Sequence, residues 1–196
     1  MRKLFFALVL LLALIHTSSA QGLLPPFDED ALRSFSAKAV NVPFTTGLLQ
    51  EKKWTLLVFL SPECPLSKNY AVVIQQLAID YPDQLQVIGI IPGTTFSKNE
   101  IRRFASKYKL SFPLVIDEKM TAVKAVDATI TPEAVLIREN ATLIYRGAID
   151  DWAVSLGKKR TKASREYLRD AIEQARAGIA ITQKMVQPVG CLINEF

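Results

Sequence analysis

The sequence predicts an α/β fold in which helices cover both faces of a mixed central sheet. Residues 54–60, WTLLVFL, form an unbroken apolar run rich in aromatic and β-branched residues, as expected of a strand buried on both faces. Residues 86–91, QVIGII, repeat that character, and between the two runs Leu66, Tyr70, Val73, Ile74 and Leu77 recur at helical spacing. Buried strands alternating with helices are the sign of crossover connections. With 196 residues, 49% of them hydrophobic, the chain suffices for one well-filled core and is short for two ordinary domains.

The first twenty residues open with Arg2 and Lys3, continue apolar from Leu4 to Ile15, and place Ser18 and Ala20 at the minus-three and minus-one positions of a cut before Gln21. This is a secretory signal-peptide pattern, and its apolar run falls short of the ~20 residues that span a bilayer. The expected mature chain is exported, periplasmic or secreted, and without stable membrane insertion. It also loses His16, the single histidine, and cleavage takes the formal charge from +5 to +3. The one basic run, Lys158 to Arg160, reads as a solvated loop, so no nucleic-acid partner is expected.

Residues 21–37, with Pro25, Pro26 and the acidic cluster Asp28 to Asp30, read as an arm ahead of a domain spanning 38–178. The first strand feeds a helix over Pro65 to Asp80. Ser97 and Glu100 form a capping box, predicting a second helix from Lys98 to about Tyr108 with Ile101, Phe104 and Ala105 on one face. A short strand at 113–116 and a short helix marked by Met120, Val123 and Val126 follow. Residues 133–138 and 142–147 flank a polar turn at Glu139 and Asn140, which signals a hairpin. The last helix is expected to start near Ser164, with Tyr167, Leu168, Ala171, Ile172 and Ala175 on its apolar face, and to stop at Gly178. Residues 179–196 form a tail that carries Cys191.

Two cysteines, Cys64 and Cys191, are too few for a disulfide scaffold, so the core must supply most of the stability. Cys64 stands between a buried strand and the first turn of a helix that begins with Pro65. Unpaired amides and the positive end of the helix dipole stabilise a thiolate there, while the neighbouring Glu63 opposes it. Asp150 and Asp151 are adjacent and should point apart, which disfavours a paired-carboxylate site. Trp54 and Trp152 read as packing residues. Asn140, Ala141 and Thr142 form a glycosylation sequon that matters only where the machinery exists.

FLSPECPLSK, residues 59–68, resembles the active-site segment of the thioredoxin-like superfamily, with Ser67 where a CxxC motif has its second cysteine. CPLSKNY at 64–70, Thr131 and Pro132 before the hairpin, YRGAIDDW at 145–152 and PVGCLI at 188–193 together resemble redoxins of the alkyl hydroperoxide reductase and thiol-specific antioxidant (AhpC/TSA) group. The likeness spans roughly residues 38–193. It implies a thioredoxin-like three-layer sandwich, a cis peptide at Pro132, and a groove at Thr131 and Pro132 that receives an extended substrate. Ser67 would donate a hydrogen bond to the Cys64 thiolate, and Lys68 would add positive potential. Ser61 matches the Ser or Thr that peroxidatic motifs carry three residues before the cysteine. Leu57 replaces their proline seven residues before it, which argues against efficient peroxide reduction.

Three readings of Cys64 follow from the resemblance. It attacks a disulfide and is resolved by Cys191 or an external thiol; or it forms a structural bridge to Cys191, worth about 4 to 5 kcal/mol by the chain-entropy model; or it is a plain buried cysteine. The first makes the chain a thiol-disulfide oxidoreductase working on protein or small-molecule thiols and disulfides with an external reductant and no cofactor. The alternative is a binding or assembly module with a structural disulfide or a two-thiolate Cu(I) site. Related exported proteins add a histidine to bind copper, which the mature chain lacks, and a catalytic zinc site is not expected.

Overall fold

A computed structural model describes Leu24, residues 27–47 and residues 52–194; the expected signal peptide lies outside the described residues. The acidic cluster of the expected arm starts a helix, α1 (Glu29–Ser34). Asp28 caps it by accepting the Ala31 N–H at 2.9 Å, and Glu29 and Asp30 occupy the first turn, where the helix dipole favours anions. Its Leu32 is fully buried, so this segment packs onto the body of the fold. Strands β1 (Ser36–Lys38) and β2 (Thr45–Gly47) then pair antiparallel.

The central elements follow the sequence expectation closely. Strand β3 (Trp54–Phe59) is buried throughout, and α2 (Pro65–Asp80), β4 (Leu85–Pro92) and α3 (Lys98–Lys107) succeed it. The capping box is present in full: Ser97 accepts the Glu100 N–H, and the Glu100 carboxylate accepts the Ser97 N–H at 2.8 Å. Next come β5 (Leu114–Asp117), α4 (Thr121–Ala125), β6 (Ile130–Thr131) and the hairpin of β7 (Glu133–Arg138) with β8 (Leu143–Gly147). The hairpin turn sets Ala141 at φ +62°, a left-handed conformation that favours glycine, and the Asn140 side chain accepts the Thr142 N–H across it.

Lys158 and Lys159 of the basic run form β10, paired with β9 (Ala153–Ser155) in a small, largely exposed hairpin where a loop was expected. Helix α5 (Tyr167–Arg176) starts three residues later than the expected start near Ser164. The reason is tertiary: the Asp151 carboxylate takes the Ser164 N–H, the Ser164 hydroxyl and the Arg165 N–H, holding those residues outside the helix. The tail adds β11 (Met185–Val186) and β12 (Cys191–Leu192).

The main sheet has the order β11-β8-β7-β3-β4-β5. Strands β3, β4 and β5 are parallel, β7 is antiparallel to both β3 and β8, and β11 runs parallel to β8. It is the mixed sheet expected. Along β3, Leu56 and Val58 enter the core beneath α2, α3 and α5, while Leu57 and Phe59 face α1 and α4. Each fully buried side chain of this size contributes about 1.5 to 3 kcal/mol. The outer edge of β5 is covered by Val40, whose N–H donates to the Leu114 carbonyl, and by Asn41, whose amide bonds the Phe112 carbonyl and the Leu114 N–H.

Candidate functional site

Strand β3 ends against the sheet centre, and the chain turns through Ser61, Pro62 and Glu63 to put Cys64 at the N-cap of α2, with Pro65 at the first helical position. Proline suits that position because its missing N–H would have no helical partner. Cys64 is 3% exposed, and its Sγ lies 3.1 Å from the Thr131 carbonyl oxygen. In the thiol form, S–H would donate to that oxygen. Thr131 and Pro132 are both buried and joined by a cis peptide bond.

Ser67 is fully buried in the first turn of α2, and its hydroxyl accepts the Ser61 N–H at 3.1 Å. That bond fixes the turn carrying Cys64 and brings Ser61 and Ser67 together. Lys68 is partly exposed beside Pro62 and Glu63, in a shallow cavity of about 210 Å³ that also touches Phe96 and Arg103.

The tail completes the site. Cys191 forms a disulfide with Cys64 across a sequence separation of 127, with Cα atoms 6.1 Å apart, within the ordinary range for such a bond. Strand β12 pairs antiparallel with β6, Cys191 opposite Thr131 and Leu192 opposite Ile130. The Ile193 N–H donates to the Thr129 carbonyl at 2.9 Å, and the Thr131 hydroxyl lies 3.4 Å from the Cys191 carbonyl oxygen. All four principal sequence candidates, Cys64, Cys191, Thr131 and Pro132, therefore meet at one place.

Sequence reasoning missed what braces this place. Glu133, directly after Pro132, is 1% exposed and pairs with buried Arg146 of β8 at 2.7 Å. Its second oxygen accepts the Thr129 N–H at 3.0 Å, and Arg146 also donates to the Asp127 carbonyl. Both charges are thus tied to the loop that presents Thr131. The available signal was a charged residue inside or bordering the apolar run of each hairpin strand, Glu133 in β7 and Arg146 in β8.

Asp150 and Asp151 point apart, as expected. The Tyr70 hydroxyl donates to Asp150, which also accepts the Trp152 N–H, and Trp152 stacks edge-on against Tyr70 with ring centroids 5.8 Å apart. Burial pushes the Asp150 carboxyl up, and burial together with Asp150 pushes the Tyr70 phenol up. Asp151, hydrogen-bonded by the Ser164 hydroxyl and by backbone amides, is held down at about 2. Tyr70, Asp150, Pro132 and Val189 line a cavity of about 220 Å³ on the Pro132 side of the disulfide. Among the described residues no group of three or more His, Cys, Asp or Glu side chains is placed to hold a metal, and no helix is long and apolar enough to cross a membrane.

A mixed sheet covered on both faces, a cysteine capping the helix after its central strand, and a cis proline opposite define a thioredoxin-like protein. The AhpC/TSA family model matches residues 29–148, more than half of the chain, and the chain belongs to that family. The match stops well short of Cys191. An uncharacterized conserved protein from Geobacillus kaustophilus has a similar fold, at TM-score 0.75 and 22% identity over 89% of this chain and 94% of that one. A hypothetical protein from Sinorhizobium meliloti is similar at TM-score 0.73 and 22% identity, covering 87% and 93%. A secreted Mycobacterium tuberculosis disulfide oxidoreductase, described as homologous to E. coli DsbE, aligns at TM-score 0.50 and 26% identity over 58% of this chain and 82% of its own. A search of curated protein sequences finds no match.

Proposed function

We propose that this chain is an exported thiol-disulfide oxidoreductase in which Cys64 attacks and Cys191 resolves. The observation that carries the reading is the placement of Cys64 at the head of α2, bonded to a cysteine on the chain's own tail and facing the Thr131 carbonyl. In the reduced protein the Cys64 thiolate attacks one sulfur of a substrate disulfide. The other substrate sulfur leaves as a thiolate and takes a proton. Cys191, as thiolate, then attacks Cys64 Sγ, which releases the second substrate thiol and forms the internal disulfide. Two electrons have passed from the protein dithiol to the substrate, and an external dithiol returns them; the same steps run backwards oxidise a substrate dithiol.

The α2 N-terminus favours the thiolate in each step, and Thr131 with Pro132 aligns the incoming chain. Export agrees with the N-terminal pattern and with the secreted protein among the similar structures. The test measures reduction of a protein disulfide by native protein, Cys64→Ser and Cys191→Ser. Cys64→Ser is expected to be inactive, and Cys191→Ser to accumulate a mixed disulfide through Cys64. Native-rate reduction by Cys64→Ser sinks the reading.

A second reading, a structural bridge in a binding module, draws on the burial of Cys64 and the pairing of the tail with β8 as well as β6. A disulfide that resists dithiothreitol while the fold is intact would favour it over the first.

A further inference from the structure

The tail does more than deliver a sulfur. After a bend at Gly190, Cys191 and Leu192 lie as a strand against β6 in a fixed antiparallel register, and the Ile193 N–H bonds the Thr129 carbonyl. Each position meets a different environment. A Cβ on Gly190 would stand 2.3 Å from the Thr131 carbonyl oxygen, 2.8 Å from its carbonyl carbon and 2.3 Å from Ile130 Cγ2. Two of those atoms are backbone, held in the loop that Glu133 and Arg146 brace, so a side chain cannot be accommodated by a rotamer change. Cys191 faces Cys64, Leu192 is 72% exposed, and Ile193 packs against the core on the α1 and α4 side of the sheet.

We infer that the tail occupies the groove in which this protein binds its thiol or disulfide partner, and that the groove selects an extended polypeptide segment of the form glycine, cysteine, any residue, apolar residue. This rests on the oxidoreductase reading above. Glycine is required because the strand's backbone must press against the Thr131 carbonyl to bring its sulfur to Cys64. The following residue points to solvent and is unselected. The next is apolar because Ile193 is seated in a core contact.

The tail is then a resident competitor. Its upstream end is fastened separately: Met185 and Val186 pair with Arg146 and Gly147, and Gly147, at φ +129°, admits the Val186 carbonyl within a distance that any Cβ would obstruct. The intervening residues 187–190 link the fastened strand to the one that leaves. Breaking the disulfide leaves the two-residue β12 pairing, the Ile193 N–H bond to Thr129 and the Ile193 core contact to hold the tail in the groove.

The experiment uses full-length protein carrying Gly190→Ala and Cys191→Ser, in which the tail can neither seat nor bond, with circular dichroism to confirm the fold. Synthetic peptides Pro-Val-Gly-Cys-Leu-Ile, the same with alanine for glycine, and the same with serine for isoleucine are activated as mixed disulfides with thionitrobenzoate. Activated free cysteine is the reference. The Cys64 thiolate attacks the peptide sulfur, a Cys64-peptide disulfide forms, and thionitrobenzoate leaves as a coloured thiolate. The glycine peptide is expected to react at least tenfold faster than the alanine peptide and severalfold faster than the serine one. Equal rates for all peptides, above that of a model thiol, overturn the selectivity and leave the oxidoreductase reading standing. Rates no faster than a model thiol for every probe overturn both. In otherwise native protein, Gly190→Ala should make the Cys64–Cys191 bond at least tenfold easier to reduce in a dithiothreitol equilibrium, and Gln187→Ala should leave it within twofold. An unchanged Gly190→Ala equilibrium also overturns the inference.

Discussion

The two ends of the Cys64–Cys191 bond are built in opposite ways. Cys64 is 3% exposed and sits between a six-residue strand buried at every position and a sixteen-residue helix, both anchored in the core. Cys191 lies on a two-residue strand, partly exposed, beside a leucine that is 72% exposed. One half of the bond is held by the hydrophobic effect and by helix hydrogen bonds. The other is held by two paired residues, one core contact at Ile193 and the bond itself. A bond between a rigid and a releasable element concentrates any motion on one side, and that asymmetry suits exchange chemistry better than a staple between two core elements does.

The largest way to break this comparison is to remove the bond. Cys191→Ser should lower unfolding stability by up to about 5 kcal/mol in urea, the chain-entropy value for so long a loop. Hydrogen exchange on that variant should speed at the Ile193 amide and leave the amides of α2 protected. Equal loosening of both ends would show that the bond, and not the core, positions Cys64.

Somewhat smaller is the effect of unbracing the loop between them. Glu133→Ala leaves buried Arg146 only the exposed Asp127 carboxylate, 3.6 Å away, as an ion-pair partner and should cost about 3 kcal/mol, read by chemical denaturation. Because Glu133 also holds the Thr129 amide, the variant should loosen the Cys191 side more than the Cys64 side.

Acid sharpens the contrast at a third place. Asp151 is depressed from 3.8 to about 2 in the folded protein, so its contribution is present above about pH 4 and is lost as pH falls through 2. Urea melts of Asp151→Asn between pH 5 and 2 should therefore show a flatter pH dependence than the native protein. Asp150, raised by burial, acts with the opposite sign: its contribution is present at low pH and lost as pH rises through its folded value. The smallest effect is expected at the exposed tail, where Leu192→Ala should change stability by less than about 0.5 kcal/mol.

Much of this architecture was legible locally. The unbroken apolar run of β3, the period of α2 and the Ser97 and Glu100 box are written within a few residues of one another, and each formed where expected. The helix at Glu29 was equally local, since Asp28 is a capping residue followed by two acids, yet the absence of apolar periodicity in so short a segment hid it. The true start of α5 was not local at all. Ser164 and Arg165 are kept out of the helix by a carboxylate thirteen and fourteen residues away.

The sequence by itself determined the buried strands, the helix that Cys64 caps, the resemblance that singled out Thr131, Pro132 and Cys191, and the absence of histidine after position 16, because composition, periodicity and caps act over a few residues. Only the tertiary structure decided that Ser67 bonds the Ser61 amide, that Glu133 and Arg146 pair under the loop, and that Gly190 must lack a side chain. Those outcomes depend on which distant backbone atoms arrive within a few ångströms. Steric exclusion and the cost of burying a charge are set by that arrival and leave little trace in the spacing of residues along the chain.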